Sequence, residues 1–112
     1  MIDWHSHILP GIDDGSQSVE ESVAMLKMLA EQGVNTVIAT PHFLANNETV
    51  EDFLARRNEA YGKLKEHLFE GAPEIRLGAE VAYYSGISRL PELKELCIEG
   101  SKCLLLEMPT HL

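Results

Sequence analysis

The 112 residues are 45% hydrophobic and 24% charged, a balance that excludes the disordered and fibrous classes and gives room for one globular domain. Asp and Glu number 18 against 9 Lys and Arg, so the formal charge of −9 argues against a nucleic-acid backbone or an anionic membrane surface as partner. No run of ~18 apolar residues is present and Met-Ile-Asp-Trp-His opens no secretory signal, so the expectation is a cytoplasmic chain without membrane insertion.

Short strands alternate with helices, which predicts parallel βα units and an α/β fold. The first strand covers Met1 to His5. Leu9-Pro-Gly-Ile-Asp-Asp-Gly-Ser follows as a loop dense in turn formers. Ser18 is expected to cap a helix, with Glu21 completing a Ser-x-x-Glu box. Val19, Val23, Leu26, Leu29 and Ala30 keep helical spacing, and Gly33 suits the helix end. The second strand runs from Val34 to Thr40, is stopped by Pro41, and is followed by His42. After the polar stretch Ala45 to Glu48, Thr49 caps a long helix reaching about Phe69, with Phe53, Ala60, Leu64 and Leu68 on one side. The third strand covers Ile75 to Val81 and carries Glu80. A short helix is expected from Pro91 to Ile98. The fourth strand runs from Cys103 to Glu107, ended by Pro109.

Each strand thus finishes with a side chain that binds metals well: His5 and His7, then His42, Glu80 and Glu107. In parallel α/β folds the carboxyl ends of the strands carry the active site. His5-Ser-His7 puts two imidazoles on one face of an extended backbone. Alone such a pair is a weak signal, and Asp13-Asp14-Gly15 alone is ordinary turn chemistry. A lone His after a buried strand is more often structural than a ligand. Glu80 and Glu107 are harder to dismiss, because a carboxylate among apolar neighbours needs a compensating partner. Asp3 is a candidate to orient one of the imidazoles. His67 reads as a surface residue on the long helix, and His111 has no strand beneath it. Mixed imidazole and carboxylate donors suit Zn, Mn, Fe or Co, and ions of this kind assist hydrolysis. Cys97 and Cys103 are expected to be reduced. Position 109 is Pro rather than the Arg that a cysteine-nucleophile phosphatase keeps six residues after its cysteine, which excludes that mechanism for Cys103.

Met1-Ile-Asp-Trp-His-Ser-His, Asp13-Asp-Gly-Ser16, Thr40-Pro-His42, Gly78-Ala-Glu80 and Leu104-Leu-Leu-Glu107 together resemble the PHP-domain phosphoesterases. Within that superfamily the chain is most similar to the bacterial manganese-dependent tyrosine phosphatases of capsular and extracellular polysaccharide synthesis. The resemblance implies a PHP domain whose N-terminal portion is residues 1–112, about four βα units of a distorted seven-stranded βα barrel. It implies a multinuclear Mn cluster, with Fe, Zn or Co as alternatives. His5, His7 and Glu80 would share one ion, Glu80 would bridge to a second with Glu107, and Asp14 and His42 would belong to a third. The nucleophile would be a metal-bound hydroxide, the catalytic side chains staying unassigned. The partner would be a phosphotyrosine protein, an autophosphorylated tyrosine kinase of the polysaccharide machinery. A homo-oligomer is also compatible with the family. The family's later ligands and its phosphate-binding arginines have no counterpart here, so the fourth strand is expected to be an open edge. Two other readings stand beside this one: a PHP phosphoesterase acting on a small molecule such as histidinol phosphate, and an incomplete fragment that acts only with another chain.

Overall fold

The computed structural model describes residues 1–13 and 15–107. Strand β1 (Ile2–Ser6) leads through the turn-rich loop into helix α1 (Val19–Glu31). Ser18 lies in extended backbone at the helix start and its hydroxyl accepts from the Glu21 N–H at 3.1 Å. Glu20 and Glu21 in the first turn face the positive end of the helix dipole. Gly33 takes a φ of 87° just past the helix, the left-handed conformation expected there. Leu26 is buried at the centre of the inward stripe, while Met28, two residues on, is 61% exposed.

The expected third strand is broken in two, and the expected second is shorter than Val34 to Thr40 and is followed, past Pro41, by a separate short strand. Strand β2 (Thr36–Ala39) is followed by the two-residue β3 (His42–Phe43), and β4 (Glu74–Leu77) by β5 (Glu80–Ala82). With β6 (Leu105–Glu107) they form two parallel sheets, ordered β1-β2-β4 and β3-β5-β6. Two features cause the break. Pro41 has no N–H to donate to a ladder. Gly78 passes so close to its neighbours that a Cβ there would meet Ile98 Cγ1 at 3.3 Å and Thr40 Cγ2 at 3.5 Å. Backbone bonds cross the break, from Gly78 N–H to the Ala39 carbonyl at 2.8 Å and from Glu80 N–H to the Pro41 carbonyl at 2.9 Å. The two strands are therefore interrupted at the same level and stay in register, with Val37 opposite Ile75 and His42 opposite Glu80.

Helix α2 (Val50–Lys65) starts at Thr49, whose hydroxyl accepts from Asp52 N–H at 3.0 Å. It ends at Lys65 rather than near Phe69, and a turn, not a further helical turn, brings Leu68 and Phe69 onto the core. The expected helix over Pro91 to Ile98 is instead a single 3₁₀ turn, Leu93–Leu96, with another just before the expected range at Ile87–Arg89. So short a segment gains too few bonds to nucleate an α-helix, and i→i+3 bonds suffice to bury Leu96. One core cluster joins Leu26, Val37, Leu64 and Leu77 under the first sheet. A second joins Phe43, Phe53, Val81 and Leu96 under the other, and α2 serves both. β6 lies at a sheet edge, as expected for the fourth strand. Both cysteines are free, and among the described residues no helix is long and apolar enough to cross a membrane.

Truncation of Leu26 should show how much this inward stripe contributes. Leu26→Ala is expected to lower unfolding free energy by about 2–5 kcal/mol, and Met28→Ala by no more than about 0.5 kcal/mol. Urea denaturation followed by circular dichroism measures both, and equal losses would contradict the assigned helix face.

Candidate metal centre

Past the break, the short strands of the second sheet and the end of β1 bring the candidate donors together on one rim. Pairing of His42 with Glu80 across β3 and β5 sets both side chains on the same face, and His42 Nδ1 lies 2.7 Å from Glu80 Oε2. Between Asp3 and Ser6, β1 carries an irregularity against β2; His5 lies within it and His7 just beyond it, and both imidazoles approach Glu80. His5 Nε2 contacts Glu80 Oε1 directly, and His7 Nε2 is 3.7 Å from the same oxygen. The Nε2 atoms of His5 and His7 are themselves 3.1 Å apart. The His7 and His42 rings stack with centroids at 4.6 Å.

Glu80 is 6% exposed, and its ion-pair partners among the described residues are imidazoles alone. A carboxylate taken out of water requires positive charge or several donors nearby. Neutral imidazoles supply one N–H each and no charge, whereas a cation held jointly with them supplies the charge. Three groups of potential donor atoms lie within 4.8 Å of one another: His5, His7 and Glu80; His7, Asp13 and His42; His42, Glu80 and Glu107. The first fits a metal best. Asp13 Oδ2 is 2.9 Å from His7 Nδ1, which assigns the ring proton to Nδ1 and leaves a lone pair on Nε2, pointing at His5 and Glu80.

Asp13 is held from several sides. Burial pushes its carboxyl up, but hydrogen bonds from Gly15 N–H at 2.9 Å, the His7 ring and His42 N–H at 3.2 Å outweigh this. With attraction to His7, they hold it below the ordinary carboxylate value. Gly15 is required by close approach: a Cβ there would lie 2.2 Å from the His7 carbonyl oxygen. Two residues before Glu80, the Gly78 carbonyl accepts from Nη1 of the buried Arg57 at 3.0 Å, which anchors the break between β4 and β5. Burial pushes the Arg57 guanidinium down from its ordinary value, with Glu99 offsetting part of the shift.

Five of the six residues expected at the site meet on this rim: His5, His7, His42, Glu80 and Glu107, the last exposed at the end of β6. The sixth, Asp14, lies outside the described residues, as do Pro109 and His111. Asp13, one of a turn-forming Asp pair whose place after His-x-His makes either a candidate, brings its carboxylate to His7 and His42. Asp3 accepts from the His5 backbone N–H at 3.2 Å and so caps its own strand rather than orienting a ring. His67 is on the surface, its Nδ1 3.0 Å from the Lys63 carbonyl.

Residues 1–111 match the family described as capsular polysaccharide synthesis, CpsB/CapC. The chain is 35% identical to the tyrosine-protein phosphatase YwqE of Bacillus subtilis over 112 residues, covering 97% of this chain and 43% of that protein. It is 36% identical to the tyrosine-protein phosphatase CpsB of Streptococcus pneumoniae, covering 99% and 46%. A solved structure from work on YwqE and CpsB, described as metal-dependent tyrosine phosphatases, matches with a TM-score of 0.74 at 26% identity, over 97% of this chain and 44% of the other. The chain therefore spans less than half the length of these relatives.

The depressed Asp13 carboxyl links the site to stability. Because its folded value lies below the unfolded one, its contribution is complete above the unfolded value and is lost as pH falls through the folded one. Asp13→Asn is expected to lower the urea midpoint at pH 7, with the gap to the parent closing below about pH 4. A gap that stays constant from neutral to acid pH would contradict the assigned interactions.

Proposed function

The chain belongs to the CpsB/CapC capsular polysaccharide synthesis family, and from that premise we propose that it forms the N-terminal portion of a PHP-type barrel that hydrolyses protein phosphotyrosine. The whole barrel would have seven strands, with residues 1–112 supplying the first half of the rim. The substrate class follows from relatives named as tyrosine-protein phosphatases. The substrate itself would be a tyrosine kinase of capsular or exopolysaccharide synthesis. We place the reaction in the cytoplasm, in keeping with two free cysteines.

The observation that carries the reading is the buried Glu80 carboxylate enclosed by three imidazoles, two of whose Nε2 atoms converge on it. His5, His7 and Glu80 would hold one Mn ion, and Glu80 with Glu107 and His42 a second. Asp14 and His42 would belong to a third by motif, and Asp13, close to His7 and His42, would be a further candidate for it. Fe, Zn or Co would suit the same donors. Divalent ions bound there supply charge to stabilise a transferring phosphoryl group and lower the pKa of water. Within the chain, Asp13 keeps the proton of His7 on Nδ1, and the short β3 and β5 strands hold His42 and Glu80 in register. Glu107, exposed at the open edge, extends the carboxylate set toward the part of the barrel that the remaining half of a relative's length would build.

Elemental analysis of protein purified without chelator is expected to find at least one equivalent of Mn, Fe or Zn per chain, lost in Glu80→Ala and reduced in His5→Ala. The metal-loaded full-length protein should release phosphate from a phosphotyrosine peptide faster than from histidinol phosphate. Preference for histidinol phosphate would place the protein among small-molecule phosphoesterases. Metal content unaffected by Glu80→Ala would remove the centre altogether.

A further inference from the structure

Behind the rim a polar network ends on a side chain that the chemistry above leaves unused. Arg56 projects from α2 toward the strand ends. Its Nη1 donates to the Ile12 carbonyl at 2.7 Å, 44 residues away in sequence. Its Nε and Nη2 donate to both carboxylate oxygens of Glu48, at 3.2 and 2.7 Å. Nη2 is also directed at the His42 carbonyl, at 3.5 Å. The guanidinium carbon sits 5.5 Å from the centre of the Phe53 ring, itself fully buried.

The donor count decides what such an arginine can do. A guanidinium has five N–H groups. Four of them are directed at protein acceptors here, and Glu48 neutralises the charge in a two-point fork. Arg56 is thereby committed to the protein and is not an open cation awaiting a phosphate. What it holds is specific. The Ile12 carbonyl and the Asp13 N–H belong to one rigid peptide plane. Asp13 is therefore fixed from behind by Arg56 and from ahead by Gly15 N–H on Oδ1. The other Asp13 oxygen meets His7 Nδ1 and His42 N–H. Ile12, Asp13, His42, Glu48 and Arg56 line one cavity of about 340 Å³, so brace and candidate ligands share a wall.

The geometry points to Arg56, locked by Glu48, as a positioning residue for the metal centre. It clamps the Asp13 loop against the backbone of His42, and Asp13 in turn holds the His7 ring with Nε2 facing His5 and Glu80. This inference rests on the metal reading above. The Arg56 side chain is 37% exposed and that of Glu48 19%, so the pair itself adds little to global stability. Its effect falls on position. Lysine would keep the charge but lose the planar fork, so geometry and charge make different predictions.

The test compares the parent protein with Arg56→Gln, Arg56→Lys and Glu48→Gln, each checked for an unchanged circular dichroism spectrum. Glu48→Gln leaves the arginine's packing on Phe53 in place and serves if Arg56→Gln fails to fold. Two readouts are taken: affinity for Mn²⁺ alone, by the electron paramagnetic resonance signal of the free ion, and the ring ¹⁵N shifts of His7 in metal-free protein. Removing an outer partner of a metal ligand weakens binding roughly 10–100-fold, and from one step further out about 10-fold is expected for all three variants. The Nδ1–H signature of His7 should weaken in parallel. Parent-like affinity in Arg56→Gln, or full affinity in Arg56→Lys, would overturn the brace. If the parent binds no Mn²⁺, the metal reading fails on its own, and a His7 signature that persists in Arg56→Gln then overturns the brace as well.

Discussion

A carboxylate removed from water and faced by imidazoles is the constraint on which the rest of this molecule depends. Glu80 sits in a strand of three residues whose neighbour, Val81, is fully buried. Leaving an ionised group there without compensation would cost several kcal/mol, on the order of the stability of a small domain. The chain meets the demand by converging three histidines on Glu80 from two directions, His5 and His7 from β1 and the residue after it, His42 from β3. Such an arrangement is poor as a set of neutral hydrogen bonds and good as the inner surface of a cation site.

Backbone features far less conspicuous than the histidines bring the convergence about. The missing N–H of Pro41 and the close approach at Gly78 interrupt both strands at the same level, and crossing hydrogen bonds keep their register through the break. Helix α2 then secures the result. Its Phe53 and Leu64 anchor it in the two core clusters. On the same helix Arg57 holds the Gly78 carbonyl below Glu80, and Arg56 holds the Ile12 carbonyl beside Asp13. One helix therefore transmits core packing to both sides of the rim.

Much of this was legible in the residues. Ser18 and Thr49 cap their helices through local chemistry, and local chemistry is what a sequence displays best. The strand-end histidines and glutamates were visible because a polar side chain interrupting an apolar strand is conspicuous, and five of them meet. What was hidden depends on tertiary pairing. Ile75 to Val81 reads as one strand, and only its partner at Thr40-Pro41 explains why it divides. Asp13 and Asp14 are indistinguishable as residue types, and loop geometry alone brings the first to His7. Asp3 was a reasonable second carboxylate for an imidazole, yet its own strand's N–H was nearer. The Glu48–Arg56–Ile12 contact joins positions eight and 44 residues apart, with no periodicity to signal it.

Whether Glu80 is a shared ligand and not merely a hydrogen-bonded carboxylate is decided by diffraction from crystals of the Mn²⁺-loaded protein, with data collected on both sides of the Mn absorption edge. An anomalous peak is expected in contact with the Glu80 carboxylate and with Nε2 of both His5 and His7. Loaded crystals with no peak at Glu80, and with the carboxylate still bonded only to imidazole N–H groups, would contradict it.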